Sequence, residues 1–178
     1  MRFQVRGIVN KSFDIMKWTF NLFLLFSFQG FSQNMDRVSI EVQVEKYDTN
    51  ALNQLLNSWH VSAAQANFDA YFSVTTSNFV FLGTAPGERW AKPEFMAFCK
   101  PYFDKGKAWD FKPSKRNWQF AADGKVAYFD EDLQTWMEGC RGSGICVLEN
   151  GQWKIAYYNL TVLIENEKIK PFIKLRKH

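Results

Sequence analysis

Cysteine and histidine are scarce in this sequence: 178 residues hold 3 Cys and 2 His, one of the histidines at the C-terminus. No CxxC pair and no His/Cys cluster has metal-ligand spacing, which argues against a structural zinc site; no metal and no cofactor is expected. Cys99 falls within a helical pattern and reads as a buried thiol acting as a small hydrophobe. Cys140 and Cys146 flank Arg-Gly-Ser-Gly-Ile. On one strand, six residues at about 3.3 Å each would hold them about 20 Å apart, too far for a disulfide. A tight turn at Gly142 to Gly144 would instead bring them together across a hairpin. The spacing favours the strand.

A charge excess is missing too, once the N-terminus is set aside. The first 32 residues carry Arg2, Arg6, Lys11 and Lys17 against Asp14, and without them 18 basic residues face 17 acidic. Much of the remaining basic character lies in Lys168, Lys170, Lys174, Arg176 and Lys177, a solvated tail rather than a phosphate-binding face. Nucleic acid is not an expected partner. There is no apolar run long enough for a membrane span. From Trp18 to Phe28 only Thr19, Asn21 and Ser27 interrupt the apolar residues, and about 11 residues suit a signal-peptide core with Lys17 as its positive flank. Gly30-Phe31-Ser32 places small residues where a signal peptidase reads, so cleavage is expected between Ser32 and Gln33, with Met16 as an alternative start. A retained N-terminal anchor helix is the competing reading. Cleavage makes the protein periplasmic or secreted, without a stable membrane anchor.

Aromatic residues are abundant: 18 Phe, 7 Trp and 6 Tyr. They suit a dense core or a pocketed one. After a lead-in over 33–47, Asp48 or Thr49 can cap a helix whose Leu52, Leu55, Leu56, Trp59 and Ala63 form one apolar stripe. Asn67 can cap a second helix with Phe68, Tyr71 and Phe72, followed by a short strand from Phe79 to Leu82. Lys92-Pro93-Glu94 opens a third helix that Gly106 ends. From Trp109 the period becomes two: strands over 109–121, 126–137, 140–149 and 152–164 form a meander, with Asn150-Gly151 a type I′ turn. Three N-terminal helices packed on a curved antiparallel sheet define an α+β domain over 48–164, and 165–178 remain as a basic tail.

Three segments then carry a resemblance: Trp59 to Phe72 (WHVSAAQANFDAYF), Lys100 to Trp109 (KPYFDKGKAW) and Thr135 to Gly144 (TWMEGCRGSG). In this order they resemble the SnoaL-like branch of the nuclear transport factor 2 (NTF2-like) superfamily, over roughly residues 48 to 164. The resemblance implies a cone-shaped α+β barrel with an apolar cavity between helices and sheet, and a homodimer formed through the sheet. It does not imply a chemistry, because such folds serve isomerases, dehydratases, hydrolases, cyclases and adaptors alike.

Candidate site residues follow from the pattern itself. On the strand from Val126 to Met137, Glu131 alternates with Phe129 and Leu133 and is the one carboxylate on an apolar face. There it is either a desolvated acid or base, or half of an ion pair with Arg116 or Arg141. His60 borders the first helix's apolar stripe, as a proton shuttle or a hydrogen-bonded edge residue. Tyr71, Trp90 and Tyr158 are candidates for aromatic cavity walls with phenolic donors, and equally for ordinary core. Arg141 is a candidate for holding an anionic ligand group. Asp69, in a first helical turn, complements the helix dipole. The glycines at 142 and 144 make no phosphate loop, since no helix follows them. Two functions stay open: an exported binder of a small, largely apolar molecule in an aromatic-lined cavity, or an acid/base enzyme using Glu131 and His60.

Overall fold

A computed structural model describes Tyr47 and residues 49–176. The segment expected to be a cleaved leader and nearly all of the expected lead-in lie outside these described residues. The chain runs α1 (Asn50–Ala64), α2 (Phe68–Ser73), β1 (Thr75–Leu82), β2 (Arg89–Ala91), α3 (Lys92–Asp104), β3 (Lys112–Phe120), β4 (Val126–Thr135), β5 (Glu138–Glu149), β6 (Gln152–Val162), then a 3-10 turn (Asn166–Lys168) and α4 (Ile169–Leu175). The six strands form one sheet in the order β2-β1-β6-β5-β4-β3.

Helix starts and stops follow local chemistry. The Asn67 side chain accepts from the Ala70 amide at 3.1 Å and so caps α2. Glu94 reaches back to the Ala91 amide at 2.9 Å beside Pro93 in the first turn of α3. Gly106 stops α3 at a positive φ of 68°. Thr49 stands at the cap position of α1 but makes no side-chain cap bond. In the last hairpin Asn150 and Gly151 both have positive φ, 51° and 77°, as a type I′ turn requires.

Two departures from the expected plan concern β1. The strand begins at Thr75 rather than Phe79, and it runs parallel to β6, pairing Phe81 with Tyr158. Its antiparallel partner β2 is only three residues long. A parallel pairing joins segments far apart in sequence, so no local turn signal announces it. The segment expected as a tail forms the 3-10 turn and α4, with every residue from 165 to 176 exposed.

The stripe on α1 packs as its spacing requires. Leu52, Leu56, Trp59 and Ala63 are buried against the inner face of the sheet, where Phe129, Leu133, Tyr158 and Leu160 meet them. Cys140 and Cys146 lie along β5, buried and free, as is Cys99 on α3. Among the described residues no helix is long and apolar enough to cross a membrane.

Candidate functional site

At the centre of this core stands Glu131, fully buried on β4. Alternation forces it inward, and four hydrogen bonds then satisfy its two oxygens. Oε1 accepts from the Tyr158 hydroxyl at 2.8 Å and lies 2.8 Å from His60 Nε2. Oε2 accepts from Arg116 Nε at 3.0 Å and Nη2 at 2.6 Å. Register explains the assembly. Arg116 on β3 is the cross-strand partner of Glu131, whereas His60 descends from α1 and Tyr158 rises two strands away on β6.

The guanidinium is held from behind as well. Its Nη1 donates to Asn53 Oδ1 at 3.1 Å, and Nη1 and Nη2 each stand 3.2 Å from Asn57 Oδ1. Asn53 also accepts from the Trp118 indole at 2.9 Å. Asn53 and Asn57, one turn apart on α1, thus form a polar cradle that helical spacing makes available. Burial alone pushes the Glu131 carboxyl up; bonds and charge from His60 and Arg116 outweigh it and hold the group below its ordinary value. Tyr158 moves the opposite way, raised by burial and then by the neighbouring carboxylate.

Two glycines make room for this cluster. Gly142 on β5 lies directly across from Glu131, and a methyl added there would stand 2.0 Å from the Tyr158 hydroxyl and 3.0 Å from Glu131 Cγ. A methyl on Gly144 would meet the Phe129 ring at 2.7 Å. Gly142 is thus a spacer for the Tyr158 phenol, and Gly144 for the Phe129 ring and the Tyr157 carbonyl oxygen, which its methyl would meet at 2.6 Å.

The expected site residues separate into four groups. Glu131, His60 and Tyr158 converge. Tyr71 is buried in the aromatic core, stacked on Trp59 with ring centroids 4.7 Å apart, and burial raises its phenol. Arg141 does not join them: β5 turns Cys140, Gly142, Gly144 and Cys146 inward and Arg141 outward, where it lies 3.6 Å from Asp132. Arg116 is the arginine that neutralises Glu131.

Trp90 borders a cleft of about 200 Å³ between the β1–β2 loop, α3 and the β4–β5 turn, with Phe95, Phe98, Trp109, Phe111 and Trp136 among its walls. The Trp90 ring stacks on Phe98 at 4.7 Å. A second cleft of about 460 Å³ lies on the helix side, with His60 at its floor between Asn57, Gln65 and Lys112. Phe111 walls both clefts. Glu131 touches neither. Among the described residues no group of three His, Cys, Asp or Glu side chains is placed to hold a metal ion.

Comparison with known proteins agrees with this architecture. The family model described as SnoaL-like domain matches residues 52–165. An NTF2-like protein of unknown function from Pseudomonas putida KT2440 has 12% identity and a TM-score of 0.55, covering 72% of this chain and 92% of its own. An NTF2-like protein from Cytophaga hutchinsonii ATCC 33406 has 14% identity and a TM-score of 0.55, over 66% of this chain and 99% of its own. A protein with a cystatin-like fold from Caulobacter vibrioides, 14% identical, superposes with a TM-score of 0.54 over 72% of this chain and 97% of its own. At such identities the likeness carries the fold alone. No curated protein matches the chain.

Proposed function

The chain belongs to the SnoaL-like domain family, and from that premise we propose that it is an exported protein that holds a small, largely apolar molecule in the cleft beside Trp90. The observation that carries this reading is the lining: Trp90, Phe95, Phe98, Trp109 and Phe111 make most of the wall, with half-buried Glu88 the one ionisable side chain among the lining residues. An apolar cavity of about 150 Å³ accepts benzene, so a volume of about 200 Å³ suits a one- or two-ring molecule. Titration with indole and naphthalene, followed by ligand-observed NMR, tests it. Trp90→Ala is expected to weaken binding about tenfold through lost stacking and contact area. Failure of both probes to bind, or equal binding by the variant, refutes the reading. The proposed export predicts a mature chain beginning at Gln33, which intact-mass analysis of exported protein would show; retention of 18–28 would refute it.

A second reading, proton-transfer chemistry, is favoured by one observation. His60 is 5% exposed and forms the floor of the helix-side cleft, while its Nε2 is committed to Glu131. The acid/base reading therefore gives proton transfer to His60 and a positioning role to Glu131, whose acceptor sites are filled by protein donors. A proton-transfer activity that survived His60→Gln unchanged would refute it.

The proposed assembly is a homodimer through the sheet. Tyr128, Ile145 and Tyr157 stand in cross-strand register over β4, β5 and β6, with Tyr128 and Ile145 exposed on the outer face. Such a row of apolar side chains is the feature a second copy would cover.

A further inference from the structure

The richest unassigned surface lies at the barrel rim, where the β4–β5 turn meets the C-terminal helix. Trp136 is 81% exposed at that turn. Beside it Met137, Leu163, Pro171, Phe172 and Leu175 line an open groove of about 710 Å³ beneath α4. Ile169, Phe172, Ile173 and Leu175 all remain exposed, although they make up most of the helix's apolar mass. A soluble surface rarely leaves so many large apolar groups in one place without a partner.

The charges around them say what kind of partner fits. Lys168, capping the start of α4, and Arg176, capping its end, stand four residues to either side of Phe172, so a cation flanks the phenyl-bearing turn at each end of the helix. Arg176 lies over that ring, its guanidinium 5.7 Å from the centroid. Lys170 and Lys174 add positive charge on the remaining side, against Glu167, Glu138 in the groove wall and Glu165, which pairs with Lys168 at 3.1 Å, so the basic excess lies on Lys170, Lys174 and Arg176. Long basic side chains flanking apolar ones let the apolar groups sink below a headgroup layer while the charges stay at its surface. A tryptophan at the same rim suits the same boundary.

We propose that Trp136 and the Phe172/Leu175 face of α4, with Lys168 and Arg176, form a docking surface for an anionic lipid bilayer. The attachment is reversible and peripheral, because α4 has seven residues and cannot span. Bilayer contact would cover the apolar rim, and the basic side chains would meet the negative lipid surface. Met137 walls both this groove and the aromatic cleft, so docking turns the mouth of that cleft toward the bilayer.

Cosedimentation of the full chain with vesicles of phosphatidylglycerol and phosphatidylcholine tests the proposal, with phosphatidylcholine vesicles as the comparison. The chain is expected to bind the anionic vesicles and to release in high salt. Lys168→Glu combined with Arg176→Glu should weaken binding at least about 20-fold, since each basic residue near such a surface strengthens it about fivefold. Trp136→Ser combined with Phe172→Ser should weaken it about tenfold or more by removing the inserted rings. All four residues are surface-placed, so both variants should melt with the parent. Equal binding to both vesicle types, or parent-like binding by both variants, overturns the proposal and points to the apolar run at 18–28. Loss with the charge variant but not the ring variant also overturns it, because the surface then answers to any polyanion. A chain that binds no vesicle, and whose dimer dissociates on Phe172→Ser, overturns it in favour of a second copy in the groove.

Discussion

Arg116 grips Glu131 from one side, its Nε and Nη2 both directed at Oε2, at 3.0 and 2.6 Å. Oε1 is thereby left to His60 and Tyr158, and no lone pair faces a cleft. A buried anion held in this way is a fixed charge that orients its neighbours.

Glu131→Gln is expected to leave Arg116 buried opposite a neutral amide. Breaking such a pair from one side costs about 3 to 5 kcal/mol, and the melting temperature should fall by at least about 10 °C. Chemical denaturation of the variant beside the parent would measure it. A loss below about 1 kcal/mol would mean that the pair contributes no more than a surface bridge.

The same carboxylate gives the stability curve an acid limb. Its folded value lies below the ordinary 4.5. The contribution is therefore complete above about 4.5 and disappears as pH falls through the lower folded value. The gap between parent and Glu131→Gln should be widest near neutrality and close below that window. A gap constant from neutral pH down to about pH 3 would contradict the linkage.

Gly142→Ala is expected to cost about 1 to 3 kcal/mol, because its methyl would meet the Tyr158 hydroxyl at 2.0 Å. In a Tyr158→Phe background the same change should cost less, since the first obstructing atom is gone. A double-mutant cycle by urea denaturation reads the coupling; strict additivity would show that the glycine is not a spacer for the phenol.

The thiols should be inert in the folded protein. Burial pushes the Cys146 thiol up to about 12 and raises that of Cys99 well above its ordinary value, and the Cys140 side chain is fully buried, out of reach of a reagent. Iodoacetamide should label none quickly under native conditions and all three after denaturation without reductant. Two thiols protected in the denatured chain would reveal a disulfide.

The outer row across the sheet should govern association. Tyr128→Glu with Ile145→Lys is expected to convert a dimer to a monomer in light scattering while leaving the fold intact, since both side chains point away from the core. A monomeric parent would remove the sheet-face dimer.

Much of the domain was legible because its periods are local. The apolar stripe of α1, the caps of α2 and α3 and the Asn150-Gly151 turn are short-range signals, and each stands where its chemistry requires. Glu131 was legible by the same alternation. The place of Arg141 follows from the phase of β5: Cys140, Gly142, Gly144 and Cys146 share the inner face, which puts Arg141 on the outer one, away from Glu131. The Asn53/Asn57 cradle and the parallel pairing of β1 with β6 were not legible, since both depend on contacts between distant segments.

Phe111 walls both clefts, so one residue is shared by a space lined by rings and a space that His60 also lines. A guest that presses the ring toward α1 narrows the far chamber, and a guest on the far side presses it back. Two guests that each displace that residue toward the other's space would be linked antagonistically, and thermodynamic reciprocity would make the penalty equal in both directions. Trimming this single side chain would remove that linkage.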